Sequence, residues 1–116
     1  MNRIVSQLDI KTLTLSGAVS WDNKLTPIQT SCFQEAIFFA NVSAVSADDT
    51  ININIYTLEP SVGDGFLIGS FTEITTAGNY TKIITSGLGS QIYVEIIIAG
   101  AADVACSIAL SCILKS

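Results

Sequence analysis

VACSIALSCIL, residues 104–114, alternates bulky and small side chains along nearly its whole length. In an extended chain Val104, Cys106, Ile108, Leu110, Cys112 and Leu114 share one face, and Ala105, Ser107, Ala109, Ser111 and Ile113 share the other. A helix would scatter both sets around its circumference. The stretch therefore reads as a half-buried strand with a small-residue outer face. TININIYTL (50–58) repeats the pattern, with Ile51, Ile53 and Ile55 on one side and Asn52, Asn54 and Tyr56 on the other. QIYVEIII (91–98) puts Ile92, Val94, Ile96 and Ile98 inward, and Tyr93, Glu95 and Ile97 on an outer face that something must partly cover. The abundance of β-branched residues argues the same way.

Working outward, turn chemistry separates these runs. Ala47-Asp48-Asp49 precedes the Ile-Asn strand, and PSVGDG (60–65) follows it as a loop, its Pro unsuited to a central strand. Thr76–Asn79 is expected to fold GSFTEIT onto YTKIITS as a hairpin, and Ala99–Asp103 to join the last two strands as another. Residues 86–90 form a further turn. CFQEAIFFANVSAVS (32–46) reads as one long strand or two with a bulge. Its Phe38, Ala40, Val42 and Ala44 lie opposite Ile37, Phe39, Asn41 and Ser43. Residues 1–31 are weaker in pattern: DIKTLTLSG and GAVSW suit strands, WDNKLTPIQT reads as loop, and the whole segment also suits an arm or strand-exchanging piece packed on a neighbour. With no convincing helix, a single open sheet would leave an apolar face in water. The expectation is one all-β domain over residues 1–116, an antiparallel β-sandwich, jelly-roll or Ig-like, of about seven to eight strands.

A chain of 116 residues buries roughly two-thirds of its unfolded surface on folding, enough to hold without staples. Only 13% of its residues are charged against 49% hydrophobic, so the surface must include exposed apolar groups, which mark interfaces when contiguous. An oligomer or docked subunit is expected. The five basic residues, Arg3, Lys11, Lys24, Lys82 and Lys115, are dispersed in a chain of net charge −5, which excludes nucleic acid as a partner. No apolar run reaches the roughly 18 residues of a membrane span, and the opening MNRIVSQLDIKTL lacks the uninterrupted apolar core of a signal peptide. Cys106 and Cys112 are about 20 Å apart along one strand, too far to bridge. With Cys32 they read as free thiols of a reducing compartment.

Catalysis has little to work with. The chain contains no histidine, no phosphate-binding Gly loop and no Cys or His spacing for zinc, so neither an enzyme nor a cofactor is expected. Glu35, Glu59, Glu73 and Glu95 are dispersed acids. Asp48, Asp49, Asp64 and Asp103 sit in expected loops, where hard oxygen ligands would suit calcium, but they lack the spacing of a calcium loop and serve turns. Trp21, Tyr56, Tyr80 and Tyr93 could build a sugar platform. An outward Tyr on a strand is more often a cross-strand partner or an interface anchor, so Tyr56 and Tyr93 are taken as interface candidates. Ile4, Val5 and Leu8 join them as unusually apolar residues for a terminus.

Residues 50–114 as a run carry a resemblance. TININIYTLEPSVGDG, then IGSFTEITTAGNYTK, then LGSQIYVEIIIAGAADVACSIAL resemble small structural proteins of tailed bacteriophages. In those, a strand ending in Asp-Gly is followed by GSFTxITxAGxYT, by LGxxxRV and by a final Ser-studded strand. Phe66 stands where that pattern has Trp, and Glu95 near its Arg. The resemblance implies a β-rich virion component without enzymatic activity: a capsid decoration or cement protein, trimeric, bound to the major capsid protein at the capsid surface and assembled in the bacterial cytoplasm. A tail, neck or fibre component and a glycan-binding module are the alternative roles.

Overall fold

The computed structural model describes residues 5–15, 19–45, 49–59, 61, 63–71, 73–100 and 106–116, the first strand and Val19 in backbone only. Nine strands follow one another: β1 (Val5–Leu15), β2 (Val19–Asp22), β3 (Ile28–Gln29), β4 (Glu35–Ala44), β5 (Thr50–Leu58), β6 (Gly65–Ser70), β7 (Gly78–Ile84), β8 (Gln91–Ala99) and β9 (Cys106–Lys115). No described residue is helical. Every ladder between named strands is antiparallel.

The strands divide into a four-stranded sheet ordered β1-β9-β4-β7 and a five-stranded sheet ordered β2-β8-β5-β6, with β3 also on β8. Taking β2 and β3 as two pieces of one position, every chain-consecutive pair except β5–β6 crosses from one sheet to the other. That is the doubly wound order of a jelly roll. The Ig-like alternative pairs its first two strands within one sheet; here β1 and β2 lie in different sheets.

Alternation dictates the core. In β9 the burial pattern follows the sequence residue by residue, with Cys106, Ile108, Leu110, Cys112 and Leu114 buried and the residues between them half-exposed. From β4 come Ala36, Phe38, Ala40 and Val42; from β5, Ile51, Ile53 and Ile55; from β8, Ile92, Val94, Ile96 and Ile98. Within the 32–46 stretch one strand runs from Glu35 to Ala44, and its ladder with β9 slips between Val42 and Ala44, so the expected bulge is real.

Both expected hairpins are absent. β8 and β9 belong to different sheets, and so do β6 and β7. Phe71 and residues 73–77 belong to an arch between the layers. The Phe71 amide donates to the Ile53 carbonyl at 2.9 Å, and Ile74 exchanges backbone bonds with Ile51, also at 2.9 Å. Buried Phe71 and Ile74 hold the arch against β5, which no two-residue turn could do. Gly78 and Asn79, expected in a turn, already pair with Val42 and Asn41 as the start of β7. WDNKLTPIQT is not all loop either, since Trp21 and Asp22 belong to β2 and Ile28 and Gln29 to β3.

The turn before β8 is tied down from two sides. Thr30, fully buried, donates its hydroxyl to the Leu88 and Gly89 carbonyls, and Thr57 donates to Leu88 at 3.0 Å. Gly89 has φ +64°, and a Cβ there would stand 2.7 Å from Thr57 Oγ1. Only glycine accepts both conditions.

Candidate interaction surfaces

The outer face of the four-stranded sheet is built in rows by strand register. Ile83, Ile37 and Ile113 form one row across β7, β4 and β9; Thr81, Phe39 and Ser111 form the next; Asn79, Asn41 and Ala109 the third. Ile83 keeps 55% of its surface exposed and Phe39 36%. The Asn41 amide donates to the Asn79 side-chain carbonyl, closing the polar end of the face. At the other end Glu35 is in register with Lys115. Between those ends the three rows across β7, β4 and β9 hold no charge, so an apolar strip faces water there, and β1 continues the second row with Asp9 opposite Ser111. This is the kind of patch that marks an interface.

Beyond β9, the backbone of β1 extends the same sheet, with Val5 opposite Lys115, Gln7 opposite Ile113 and Leu8 opposite Cys112. Of the terminal interface candidates, Ile4 lies outside the described residues. Val5 and Leu8 are placed by their backbone at the edge of this sheet.

The remaining two candidates meet on the opposite side of the molecule. Tyr56 of β5 is in register with Tyr93 of β8, and their rings stack with centroids 4.9 Å apart at 16°. The Tyr56 hydroxyl donates to Glu95 Oε1 at 3.1 Å, and the Asn54 amide donates to the same oxygen at 3.3 Å. The Lys24 ammonium stands 5.7 Å from the Tyr93 ring centroid, a cation–π distance. Burial and the Glu95 carboxylate hold the Tyr56 hydroxyl above its ordinary range. Burial, then Glu95, Asp22 and Asp64, do the same to Tyr93. Both phenols thus stay neutral past the pH at which free tyrosine ionises, and their contribution to stability, complete below that pH, fades above it.

Tyr93 is only 8% exposed although it points to the outer face. The cover is Tyr56 on one side and the bare backbone of Gly65 on another, where a Cβ would stand 2.1 Å from the Tyr93 hydroxyl. Gly65→Ala is expected to push Tyr93 out of its stack and to cost about 1–3 kcal/mol, as overpacking does. A lowered urea midpoint together with a changed tyrosine near-UV circular dichroism signal would register both effects; an unchanged signal would show that the ring has room.

The third surface is the side where β6 and β7 end their sheets. β6 is an edge strand carrying Phe66 at 55% and Leu67 at 58% exposure. Next to it opens a cleft of about 340 Å³ lined by Ser70, Phe71, Glu73, Tyr80, Thr81 and Lys82. The Tyr80 hydroxyl is tied to the Thr76 carbonyl at 2.7 Å. Sequence reasoning passed over this edge, yet the three consecutive apolar residues Phe66-Leu67-Ile68 contain the signal. Alternation buries only every second residue, so at least one of three must face out.

The aromatic set does not converge: Tyr56 and Tyr93 touch, Tyr80 lies in the other sheet, and Trp21 is half-buried against the core. The loop aspartates do not converge either. Asp49 is buried and accepts from the Cys106 thiol at 3.6 Å, Asp64 is exposed, and Asp48 and Asp103 lie outside the described residues. Among the described residues no three acidic or cysteine side chains gather as metal ligands do. Cys32 is exposed, Cys106 and Cys112 are buried, and all three are free thiols.

No protein-family model and no curated protein sequence matches this chain. Solved structures do match in shape. A structure of infectious bursal disease virus, Gx strain, superposes with a TM-score of 0.60 at 12% identity, covering 99% of this chain and 33% of that one. The Gt strain gives 0.58 at 13%, covering 97% and 32%. A mutant VP2 protein of the same virus, in derived T=1 particles, gives 0.56 at 13%, covering 97% and 31%. The chain spans about a third of the length of each of these matches. At such identities the likeness is one of fold, and what this chain shares with those virus structures is the β-sandwich.

Proposed function

We propose that the chain is a non-enzymatic structural subunit of a viral particle and, in the finer form, a capsid decoration or cement protein of a tailed bacteriophage. The observation that carries this reading is the uncharged Ile83-Ile37-Ile113 row with Phe39 on the outer face of the four-stranded sheet. A rigid sandwich with one such strip is suited to lie on a neighbour. The fold shared with infectious bursal disease virus structures supports a virion setting, and the run of motifs in residues 50–114 supports the tailed-phage form. The partner is the major capsid protein at the capsid surface, with assembly in the host cytoplasm. The mechanism is thermodynamic: a subunit that binds only the assembled shell stabilises that shell by mass action, and many copies add up.

Copy number in purified virions, measured by quantitative mass spectrometry against the major capsid protein, tests the reading. Hundreds of copies are expected. A handful would move the protein to the tail or neck, and none would discard the virion role. Ile83→Glu, at a position already open to water, should leave the fold intact and lower capsid occupancy at least about tenfold, as removal of an interface anchor does. Undiminished occupancy would exclude this face as the contact.

A further inference from the structure

We propose that β6 is a self-association edge, through which two copies of the chain pair antiparallel about a two-fold axis and join their five-stranded sheets into one. The inference stands independently of the virion reading.

Edge strands are normally protected by charge, proline, bulges or a cover. β6, Gly-Phe-Leu-Ile-Gly-Ser, has no charged residue and no proline, and it presents Phe66 and Leu67 more than half exposed. Its one blunting feature is the extra residue where the ladder slips between Ile55 and Tyr56. The β7 edge, by contrast, carries Lys82, and β2 and β3 are short. An apolar, uncharged edge calls for a strand of like character, and β6 answers to itself. Laid antiparallel on its copy with Gly65 opposite Ser70, it sets Phe66 opposite Gly69, and the extra residue of the bulge brings Leu67 beside its own copy at the two-fold axis. Each bulky residue thus meets a smaller or apolar one.

Charge complementarity selects the same arrangement. Asp64, exposed, immediately precedes β6, while Lys82 lines the cleft beside Ser70 at the strand's other end. Neither makes an ion pair with another described residue. With Gly65 opposite Ser70 of the second copy, the Asp64 carboxylate arrives at the cleft that holds both Lys82 and Glu73 of that copy, where Lys82 is the group it pairs with, and two-fold symmetry forms the contact twice.

Sedimentation velocity and light scattering over micromolar to millimolar concentrations test the proposal. A species of twice the 12.3 kDa chain mass is expected. Leu67→Lys should raise the dimer dissociation constant at least about thirtyfold, with an unchanged far-UV spectrum because the site is on the surface. Asp64→Lys and Lys82→Glu should each weaken the dimer by about tenfold, and the double reversal should return it to within about threefold of the original. A monomer at all concentrations, a trimer or an open polymer would overturn the proposal. So would a Leu67→Lys dimer of full strength, or a double reversal no stronger than the single ones.

Discussion

Phe38→Ala is expected to remove about 3–5 kcal/mol of folding stability, the usual consequence of emptying an aromatic site in a core. Phe38 is wholly buried at the middle of β4, in register with Cys112 on one side and Lys82 on the other. It is the bulkiest fully buried side chain of a core otherwise made mainly of isoleucine, leucine, valine, alanine and cysteine. Those neighbours are β-branched or packed on rigid ladders, so they cannot swing in to fill the void. Domains of this size hold only about 5–15 kcal/mol in total, so the variant should lose about a fifth or more of it. Urea titration would show the loss as a lower midpoint with an unchanged slope. A loss under about 1 kcal/mol would mean that the two layers can close over the vacancy, against the usual range.

Raising the pH should destabilise the native state through one buried thiol. Burial pushes Cys112 from its ordinary value of 9.0 up to about 12. Above pH 9 the unfolded chain releases the Cys112 proton while the folded chain keeps it, so rising pH favours the unfolded state. The contribution is complete below pH 9 and declines by about 1.4 kcal/mol per pH unit until the folded thiol itself ionises. At pH 10.5 the loss is about 2 kcal/mol relative to pH 8. Tyr56 and Tyr93, raised likewise, act in the same direction. Denaturation curves taken in reductant at the two pH values should show the fall, and Cys112→Ala should remove the cysteine's share. In the native state a thiol reagent should modify Cys32 quickly and leave Cys112 untouched until denaturant is added. Equal alkaline sensitivity of Cys112→Ala and the parent chain would assign the fall to the tyrosines instead.

The sequence disclosed faces far better than neighbours. Strict alternation in β5, β8 and β9 marks which side of each strand is dry, because side-chain direction has a period of two and nothing else is needed. Alternation carries no information about which strand lies alongside. The expected hairpins at Thr76–Asn79 and Ala99–Asp103 failed on that point, since short connections were read as tight turns when the chain was crossing between layers. The depth of Tyr93 was hidden for a related reason. Its cover is Gly65, 28 positions away in sequence, and the residue reveals itself only by what it lacks. The apolar strip of the four-stranded sheet was partly visible in β4, where Ile37 and Phe39 share the face opposite Phe38. Its width needed the register with Ile83 and Ile113.

The position of β9 has a consequence for how the protein is made. The first strand and the fourth do not pair; β9 lies between them and, among the described residues, supplies every ladder bond that β1 has. During translation β1 therefore leaves the ribosome with no sheet to join, and roughly 90 residues must follow before its partner appears, a delay on the order of 5–20 s at ordinary elongation rates. Until then the isoleucine-rich strands of the other layer face only part of the surface they are to cover, since β4 and β7 have been made and β9 has not. Nascent chains of this protein must spend that interval with apolar segments unsheltered, and their yield should depend on chaperone capacity and on how quickly synthesis reaches Cys106.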